Sequence, residues 1–302
     1  MKLDDVRGNR SGIEDRRGQR GAGGGGGFPL GRGGKVGIPA IIGMVVVFFL
    51  SQAGGGGGNG GGGGGNITDI LGQINGQTAA SRPAPVESVG TTKDQQYEFV
   101  ADVRTLLEDY WTSALEGSDQ GFEPAGLVIF DAPTETGGCG VGSPEAGPFY
   151  CPADSKIYID FGFYQKLETQ LGFYGDFALA YVIAHEYGHH IQNVLGINDE
   201  ARRLSEGASE ADANAVSVKL ELQADCFAGV WGNSAFEGGR LSEGDLAEAL
   251  DAASAVGDDS IQEQTQGRVD QESFTHGSAA ERQKWFTTGY ESGDAARCDT
   301  FA

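Results

Sequence analysis

Three of the chain's four histidines lie in one short segment, "AYVIAHEYGHHIQN" at residues 180–193. Within it, His185, Glu186 and His189 have the spacing H-E-x-x-H. Residues four apart share one face of an α-helix, so the two imidazoles can bind one metal ion, and Glu186 can reach a water on that ion. Chance alone would produce this spacing in on the order of one in a few hundred chains with as few histidines. The segment therefore predicts a zinc-binding helix, with an ordinary buried helix as the alternative.

A catalytic zinc ion normally has a third protein ligand and keeps one position open for water. Downstream, "ELQADCFAG" offers Glu221 and Asp225, which are four apart and share a helix face. Such a pair is commonly a solvated acidic face. Here the flanking residues are largely apolar, and a carboxylate in an apolar helix needs a partner. Glu221 is therefore a candidate third ligand, and Asp225 a candidate acceptor for the second ring N–H of a ligating histidine.

Apolar periodicity predicts the elements that position these residues. The run "GLVIF" at 126–130 indicates a strand, and the alternation of "SKIYIDF" at 155–161 indicates a second, half-exposed one. Ser278 and Glu281 match a capping box at the start of the last helix. The predicted helices cover residues 94–117, 162–172, 175–194, 205–232, 242–257 and 277–293. We expect an α+β fold that is mostly helical, with a small sheet beside the motif helix.

Composition divides the chain into four parts. Residues 1–35 are polar, basic and Gly-rich and are predicted to be a disordered tail. The uncharged segment "VGIPAIIGMVVVFFLSQA" at 36–53 predicts one transmembrane helix, near the lower length limit of about 17 residues. Residues 54–89 begin with a run of glycines and are predicted to be a flexible linker. Residues 90–302 are long enough for one well-buried domain.

Charge around the apolar segment predicts an orientation. Residues 1–35 contain eight basic and four acidic side chains, which leaves 13 basic and 39 acidic ones for residues 36–302. The positive-inside rule then places the N-terminus in the cytoplasm and the domain outside the cell membrane. A cleaved signal peptide is the alternative. The exported part has a net charge of −26, which argues against nucleic acid or an anionic membrane surface as a partner.

All four cysteines lie on the predicted outer side, where an even number indicates disulfides. Four cysteines allow three connectivities. Cys139 and Cys151 bracket a turn-rich loop that could close on itself, so we pair them, and we pair Cys226 with Cys298. A cysteine-containing zinc site is the rival interpretation, but the sequence has no C-x-x-C.

Six segments, in the same order, resemble the bacterial neutral zinc metallopeptidases, the YpfJ-like family. They extend from near the N-terminus to the C-terminus and cover nearly all of residues 90–302. The segments are "IEDRRG", "GPFYCPAD", "AYVIAHEYGHHIQNVLGI", "LELQADCFAGVW", "THGSAAERQKWF" and "CDTF". H-E-x-x-H followed by E-L-Q-A-D also resembles the glutamate-zincin arrangement, so the resemblance implies a zincin-like domain that holds one Zn²⁺ per chain.

The resemblance implies His185, His189 and Glu221 as the zinc ligands and Glu186 as the base that takes a proton from the zinc-bound water. His276 lies in "FTHGSAAER", and a similar His…Arg segment occurs in the HtpX-like membrane proteases. We therefore expect His276 to donate a hydrogen bond to the developing oxyanion, with Arg282 supporting it. A surface residue at a helix N-terminus is an equal alternative for His276.

These observations predict a membrane-anchored, outward-facing zinc endopeptidase that acts on protein or peptide substrates. The strand at 155–161 could pair with an extended peptide. The alternatives are a zinc-stabilised adaptor without turnover and a chaperone-like envelope module. A nitrogen of His276 bound to the metal would close the site and favour the adaptor.

Overall fold

The computed structural model describes residues 1–19, 92–117, 121–144, 146–162 and 175–302. The predicted membrane segment at 36–53, the predicted linker at 54–89 and nearly all of the predicted helix at 162–172 lie outside these ranges. Among the described residues, no helix is both long and apolar enough to cross a membrane. The architecture is α+β and mostly helical, as the sequence predicts.

A four-stranded mixed sheet lies beside the helices, with strand order β1-β2-β6-β5. β1 pairs in parallel with β2, β2 in parallel with β6, and β6 antiparallel with β5, so that β1 and β5 are the edges. Two short strands, β3 and β4, form a separate hairpin between β2 and β5. The strands are β1 (Ile13–Asp15), β2 (Gly126–Phe130), β3 (Thr134–Glu135), β4 (Val141–Gly142), β5 (Phe149–Cys151) and β6 (Lys156–Asp160).

β6 is an interior strand, so the prediction of a half-exposed strand at 155–161 is wrong. Ile157 and Ile159 face the main core, while Tyr158 faces a second, smaller apolar cluster on the other side of the sheet. There Tyr158 stacks on Phe149, with ring centroids 4.8 Å apart. The alternation in the sequence was therefore between two buried faces and did not mark a solvent face.

Residues 1–19 pack against the domain, so the predicted disordered tail is wrong for this part of residues 1–35. This polar segment is bound to the domain by main-chain hydrogen bonds, because β1 pairs in parallel with β2. The buried guanidinium of Arg104 donates hydrogen bonds to the carbonyl oxygens of Asn9 and Ser11, at 3.3 and 3.0 Å. Gly8 lies so close to the first helix that an added Cβ would be 2.7 Å from Ala101.

This packing bears on the predicted orientation. A single membrane crossing at 36–53 would place residues 1–19 and residues 92–302 on opposite sides of the membrane. The pairing of β1 with β2 requires them to be on the same side. The contacts of residues 1–19 therefore argue against a cytoplasmic N-terminus with an outward domain, while residues 36–53 lie outside the described residues and the cellular location stays a prediction.

The described residues contain seven α-helices. α2 and α4, which carry the motif segments, cross in the centre of the core, and α7 packs along α4. The α4–α7 contact is backbone to backbone, because a Cβ added at Gly229 would lie 2.0 Å from the carbonyl oxygen of Phe286. The helices are α1 (Lys93–Ala114), α2 (Asp176–Val194), α3 (Ile197–Ser205), α4 (Glu210–Glu237), α5 (Asp245–Ala255), α6 (Asp258–Gln266) and α7 (Ala279–Ser292).

Three carboxylates, those of Asp176, Asp245 and Glu248, meet where α2 and α5 begin. The α-ammonium group of Met1 forms ion pairs with Asp176 and with Asp245, the latter at 3.1 Å. Glu248 accepts a hydrogen bond from the backbone N–H of Phe177. Burial, reinforced by the two neighbouring carboxylates, raises the pKa of Glu248 to about 7.

This raised pKa predicts a pH-dependent stability. Glu248 releases its proton near pH 4.5 when unfolded but near pH 7 when folded, so the free energy of unfolding falls as pH rises between these values. We expect Glu248→Gln to remove this contribution and to flatten the decrease in the thermal unfolding midpoint between pH 5 and pH 8. Asp251→Asn, at an exposed position on the same helix, is the control and should follow the wild-type profile. A wild-type slope in Glu248→Gln would contradict the assignment.

Candidate metal centre

The motif segment forms α2, a largely buried helix. Gly188 lies between the two candidate histidine ligands, at the crossing with α4. A Cβ added there would lie 2.9 Å from the carbonyl oxygen of Ala224 and 3.0 Å from its Cα. The absence of a side chain at Gly188 therefore lets α4 approach closely enough for Glu221 to reach both histidines.

His185, His189 and Glu221 form a buried cluster whose candidate ligand atoms all lie within 4.8 Å of one another. Nε2 of His185 is 3.1 Å from one Glu221 oxygen, and Nε2 of His189 is 3.4 Å from the other. Bonds of about 2.0–2.1 Å to a tetrahedral zinc ion separate neighbouring ligand atoms by about 3.3 Å. The donor types and both His–Glu separations therefore fit zinc.

The cluster is strongly polarised even without a metal. Burial opposes ionisation of Glu221, but the neighbouring His189 and His276 outweigh it and hold the pKa of Glu221 well below its usual range. Burial likewise opposes protonation of His185, but Asp225 and Glu221 raise its pKa to about 10. Without a metal, the proton on His185 thus compensates the carboxylates, and a zinc ion would have to displace it.

Asp225 orients His185. Its Oδ1 is 2.9 Å from Nδ1 of His185, which leaves Nε2 of that ring on the Glu221 side. Asp225 is fully buried, and it also accepts hydrogen bonds from the Tyr181 hydroxyl at 2.5 Å and from Arg282 at 2.7 and 2.9 Å. These partners hold the carboxylate in place and compensate its charge.

The expected support of His276 by Arg282 is not found. Arg282 donates to Asp225, Tyr181 and the carbonyl oxygen of Val256, its Nη2 is also 3.3 Å from Nδ1 of His185, and none of its hydrogen bonds among the described residues goes to His276. The physical reason is the burial of Asp225, because a buried carboxylate needs a nearby cation to compensate its charge. The His276 imidazole has less need of such a partner. Arg282 therefore supports His185, chiefly by holding Asp225 and also through its own contact with the imidazole.

Gln192 orients the second histidine, a role that the sequence analysis missed. Its side-chain oxygen is 2.8 Å from Nδ1 of His189, which leaves Nε2 for the metal. The amide nitrogen of Gln192 donates to the carbonyl oxygen of Leu220 and to Gln223. The spacing of three residues between His189 and Gln192 could have suggested the contact, since such residues are neighbours on a helix.

Glu186 is buried beside the ligands. Its Oε2 has no hydrogen-bond partner among the described residues. Burial raises the pKa of Glu186, while the adjacent histidines and a hydrogen bond from the backbone N–H of Tyr150 oppose the increase. Tyr150 belongs to the edge strand β5, so the free edge of the sheet runs past this carboxylate.

His190 lies off the ligand cluster and makes structural hydrogen bonds. Its Nε2 is 2.8 Å from the carbonyl oxygen of Glu123, and its Nδ1 is 3.0 Å from the Tyr150 hydroxyl. The carbonyl can only accept, so Nε2 carries the proton and Nδ1 accepts from the hydroxyl. Burial lowers the pKa of His190 and favours this neutral form.

Two disulfides, with the pairing expected from the sequence, hold elements near the site. Cys226–Cys298 fixes the C-terminal segment to α4 directly after Asp225, and Gln223 donates to the carbonyl oxygen of Cys298. Cys139–Cys151 ties the β3–β4 hairpin to β5. A cysteine-containing zinc site is excluded, because every cysteine of the chain is in a disulfide.

A buried set of two imidazoles and one carboxylate on crossing helices is a donor set found at catalytic zinc sites, those of peptidases included. The comparison with protein families agrees with this class. The profile described as "Putative neutral zinc metallopeptidase" matches residues 1–301, and the chain belongs to this family.

Two relatives show how far the similarity extends. The chain is 46% identical over 233 residues to "Uncharacterized protein YpfJ" of Escherichia coli K12, which covers 77% of this chain and 80% of the relative. It is 48% identical over 193 residues to "Uncharacterized protein Rv2575" of Mycobacterium tuberculosis H37Rv, which covers 60% of this chain and 64% of the relative. No solved structure matches the chain.

The close crossing at Gly188 predicts a metal-binding defect. A methyl group there meets the backbone of Ala224, so Gly188→Ala should push α4 away from α2 and separate Glu221 from the histidines. We expect zinc affinity, measured by competition with a chelator, to fall about tenfold or more, as when ligand orientation is lost. Gly232→Ala is the control, because its Cβ would meet only side chains, the nearest 3.3 Å away. Equal zinc affinities for the two variants would contradict this role.

Proposed function

We propose that the protein is a zinc-dependent endopeptidase of the glutamate-zincin type, with His185, His189 and Glu221 holding one zinc ion per chain. One observation carries the proposal: the three donors converge in a buried cluster, and the unpartnered carboxylate oxygen of Glu186 lies on the adjacent residue. A site that only stabilised the fold would have no use for a buried carboxylate with one oxygen left without a partner among the described residues, which is costly unless it serves a function.

Zinc in this site would supply an acidified water near neutral pH and would polarise the carbonyl group of a peptide bond. Glu186 would accept a proton from that water and would pass it to the nitrogen of the leaving amine. The burial that raises the pKa of Glu186 suits both steps, because a carboxyl group with a pKa nearer neutrality exchanges protons more efficiently. Asp225 and Gln192 keep the two imidazoles in their ligating orientation throughout.

His276 is the proposed donor to the developing oxyanion. It is buried, and the next residue, Gly277, lies against Leu222, the neighbour of Glu221 on α4. A preorganised donor at such a place stabilises charge that appears only in the transition state. Arg282 has no part in this step, since it binds Asp225.

Protein or peptide substrates fit the edge of the sheet. We assign the pairing with an extended peptide to β5 in place of β6, because β5 is an edge strand and its Tyr150 N–H lies at Glu186. Main-chain pairing gives affinity with little sequence selectivity. The acidic surface charge argues against nucleic acid as a partner.

The domain is proposed to act outside the cytoplasm. The two disulfides support this location, because such bonds persist in oxidising compartments. Residues 1–19 share the location, since they pair with the domain. Membrane attachment through residues 36–53 stays a prediction.

Metal analysis combined with a cleavage assay on the purified full chain tests the proposal. We expect one zinc ion per chain, cleavage of unfolded casein, and loss of both zinc and cleavage in Glu221→Ala. Zinc at one per chain without any cleavage would overturn the enzymatic proposal. If that zinc-loaded chain also suppressed casein aggregation, the adaptor or chaperone-like function would replace it.

A further inference from the structure

The turn that carries His276 is held by a single carboxylate from another helix. Oδ2 of Asp258, the first residue of α6, accepts hydrogen bonds from three consecutive backbone N–H groups, those of Thr275, His276 and Gly277, at 2.7, 2.6 and 3.0 Å. The backbone N–H of Asp258 donates in return to the carbonyl oxygen of Gly277, at 2.8 Å. Asp258 therefore fixes this turn at both its N–H and its C=O groups.

The same carboxylate also reaches the imidazole. Oδ1 of Asp258 is 3.3 Å from Nδ1 of His276, and the Thr275 hydroxyl is 2.9 Å from the same nitrogen. Nδ1 is thus occupied, whereas Nε2 has no hydrogen-bond partner among the described residues. Of the two ring nitrogens, Nε2 is therefore the one that the described residues leave available to a substrate.

The turn lies against the helix that carries the third ligand. Gly277 has a φ of +88°, and a Cβ added there would lie 3.1 Å from Leu222 and 3.3 Å from Val218 of α4. Leu222 directly follows Glu221. A shift of the turn would therefore move His276 relative to the metal cluster, and Asp258 is the group that prevents such a shift.

We propose that Asp258 is a positioning residue for the reaction, which holds the 275–277 turn and Nδ1 of His276 so that Nε2 faces the carbonyl oxygen of a bound peptide. This inference rests on the proposed endopeptidase function. A carboxylate at Nδ1 keeps a proton on that nitrogen, since a carboxylate can only accept. Donation from Nε2 then requires a proton on both ring nitrogens.

Four forms of the full chain test the proposal in the zinc-loaded state: Asp258→Asn, His276→Ala, the double variant and Asp259→Asn. Asp259 is the matched control, because it caps α7 through the N–H of Ala279, at 2.7 Å, and makes no hydrogen bond with the imidazole. For Asp258→Asn we expect kcat on fluorescent casein to fall about tenfold to hundredfold, the range seen when a supporting partner is removed. KM and zinc content should stay within about twofold of wild type, and Asp259→Asn should retain the wild-type kcat.

The double variant separates positioning from an independent effect. If Asp258 acts through His276, the double variant should be no slower than His276→Ala. If the loss of kcat in the double variant equalled the product of the two single losses, the proposal would be overturned. A loss of zinc in Asp258→Asn, with kcat per bound zinc unchanged, would overturn it as well.

A nitrogen-15 NMR spectrum of zinc-loaded wild type provides a readout that needs no folded variant and no turnover. We expect Nδ1 of His276 to carry a proton, and an unprotonated Nδ1 would overturn the inference. If the wild type cleaved nothing while Nδ1 carried its proton, the endopeptidase function would fail and the Asp258–His276 contact would stand.

Discussion

Replacing Glu186 by glutamine is expected to lower kcat on casein by about 10²–10⁴-fold, the contribution of a positioned general base. Glutamine has nearly the same shape but cannot accept the proton of the attacking water. The ligands His185, His189 and Glu221 are untouched, so zinc content should remain that of wild type. The measurement is initial cleavage rate per bound zinc, with zinc determined on the same sample.

Tyr187→Phe is the matched control for this variant. Tyr187 is the next residue on α2 and is fully buried, but it lies away from the ligand cluster, against the main core. The control should keep the wild-type rate, because it changes one buried polar atom without touching the site. Equal rates for Glu186→Gln and wild type would show that Glu186 is not the base.

Removal of residues 1–19 is expected to destabilise the domain strongly. The deletion exposes apolar surface covered by Met1, Leu3 and Ile13, and full burial of one such side chain contributes about 1.5–3 kcal/mol. It also leaves β2 without its parallel neighbour and Arg104 without two of its carbonyl acceptors. We expect a loss of about 3 kcal/mol or more, and a thermal midpoint lower by about 10 °C.

Urea unfolding of the full chain and of a chain that begins at residue 20, both with intact disulfides, measures this loss. Arg10→Ala is the control within the same segment. Its ion pair with Glu98 is about half-exposed on both sides, so the change should be within about 0.5 kcal/mol. Identical midpoints for the two chains would mean that residues 1–19 are not part of the domain, and the single-crossing topology would become possible again.

The local parts of the site could be predicted from the sequence, because they depend on helical periodicity. The spacing of His185 and His189, and that of Glu221 and Asp225, determines which side chains share a face before any tertiary contact is known. The apolar surroundings of Glu221 indicated that its carboxylate needs a partner. The structure brings these four residues together.

The remaining parts depend on contacts between elements distant in sequence. Arg282 was assigned to His276, six residues earlier, but the packing of α7 on α4 brings it to Asp225. Asp258 has no motif of its own, and its hydrogen bonds exist only because α6 begins beside the 275–277 turn. β1 is short and polar, and its place depends on main-chain pairing that composition does not encode.

The same limit applies to β6. Alternation of apolar and polar residues usually indicates one solvent face. Here the side chain of Tyr158 has its hydroxyl on Asp154, while its ring packs in the second cluster. A tyrosine, which has both a polar hydroxyl and an apolar ring, can thus give a strand that is buried on both faces the sequence pattern of a half-exposed strand.

The central claim is that three protein ligands hold the metal and leave a position for catalysis. A crystal structure of the zinc-loaded full chain tests it most directly. The account predicts bonds of about 2.0–2.2 Å from Nε2 of His185, Nε2 of His189 and an oxygen of Glu221, with Nε2 of His276 beyond bonding distance. A fourth bond from His276 would close the site and contradict a catalytic role.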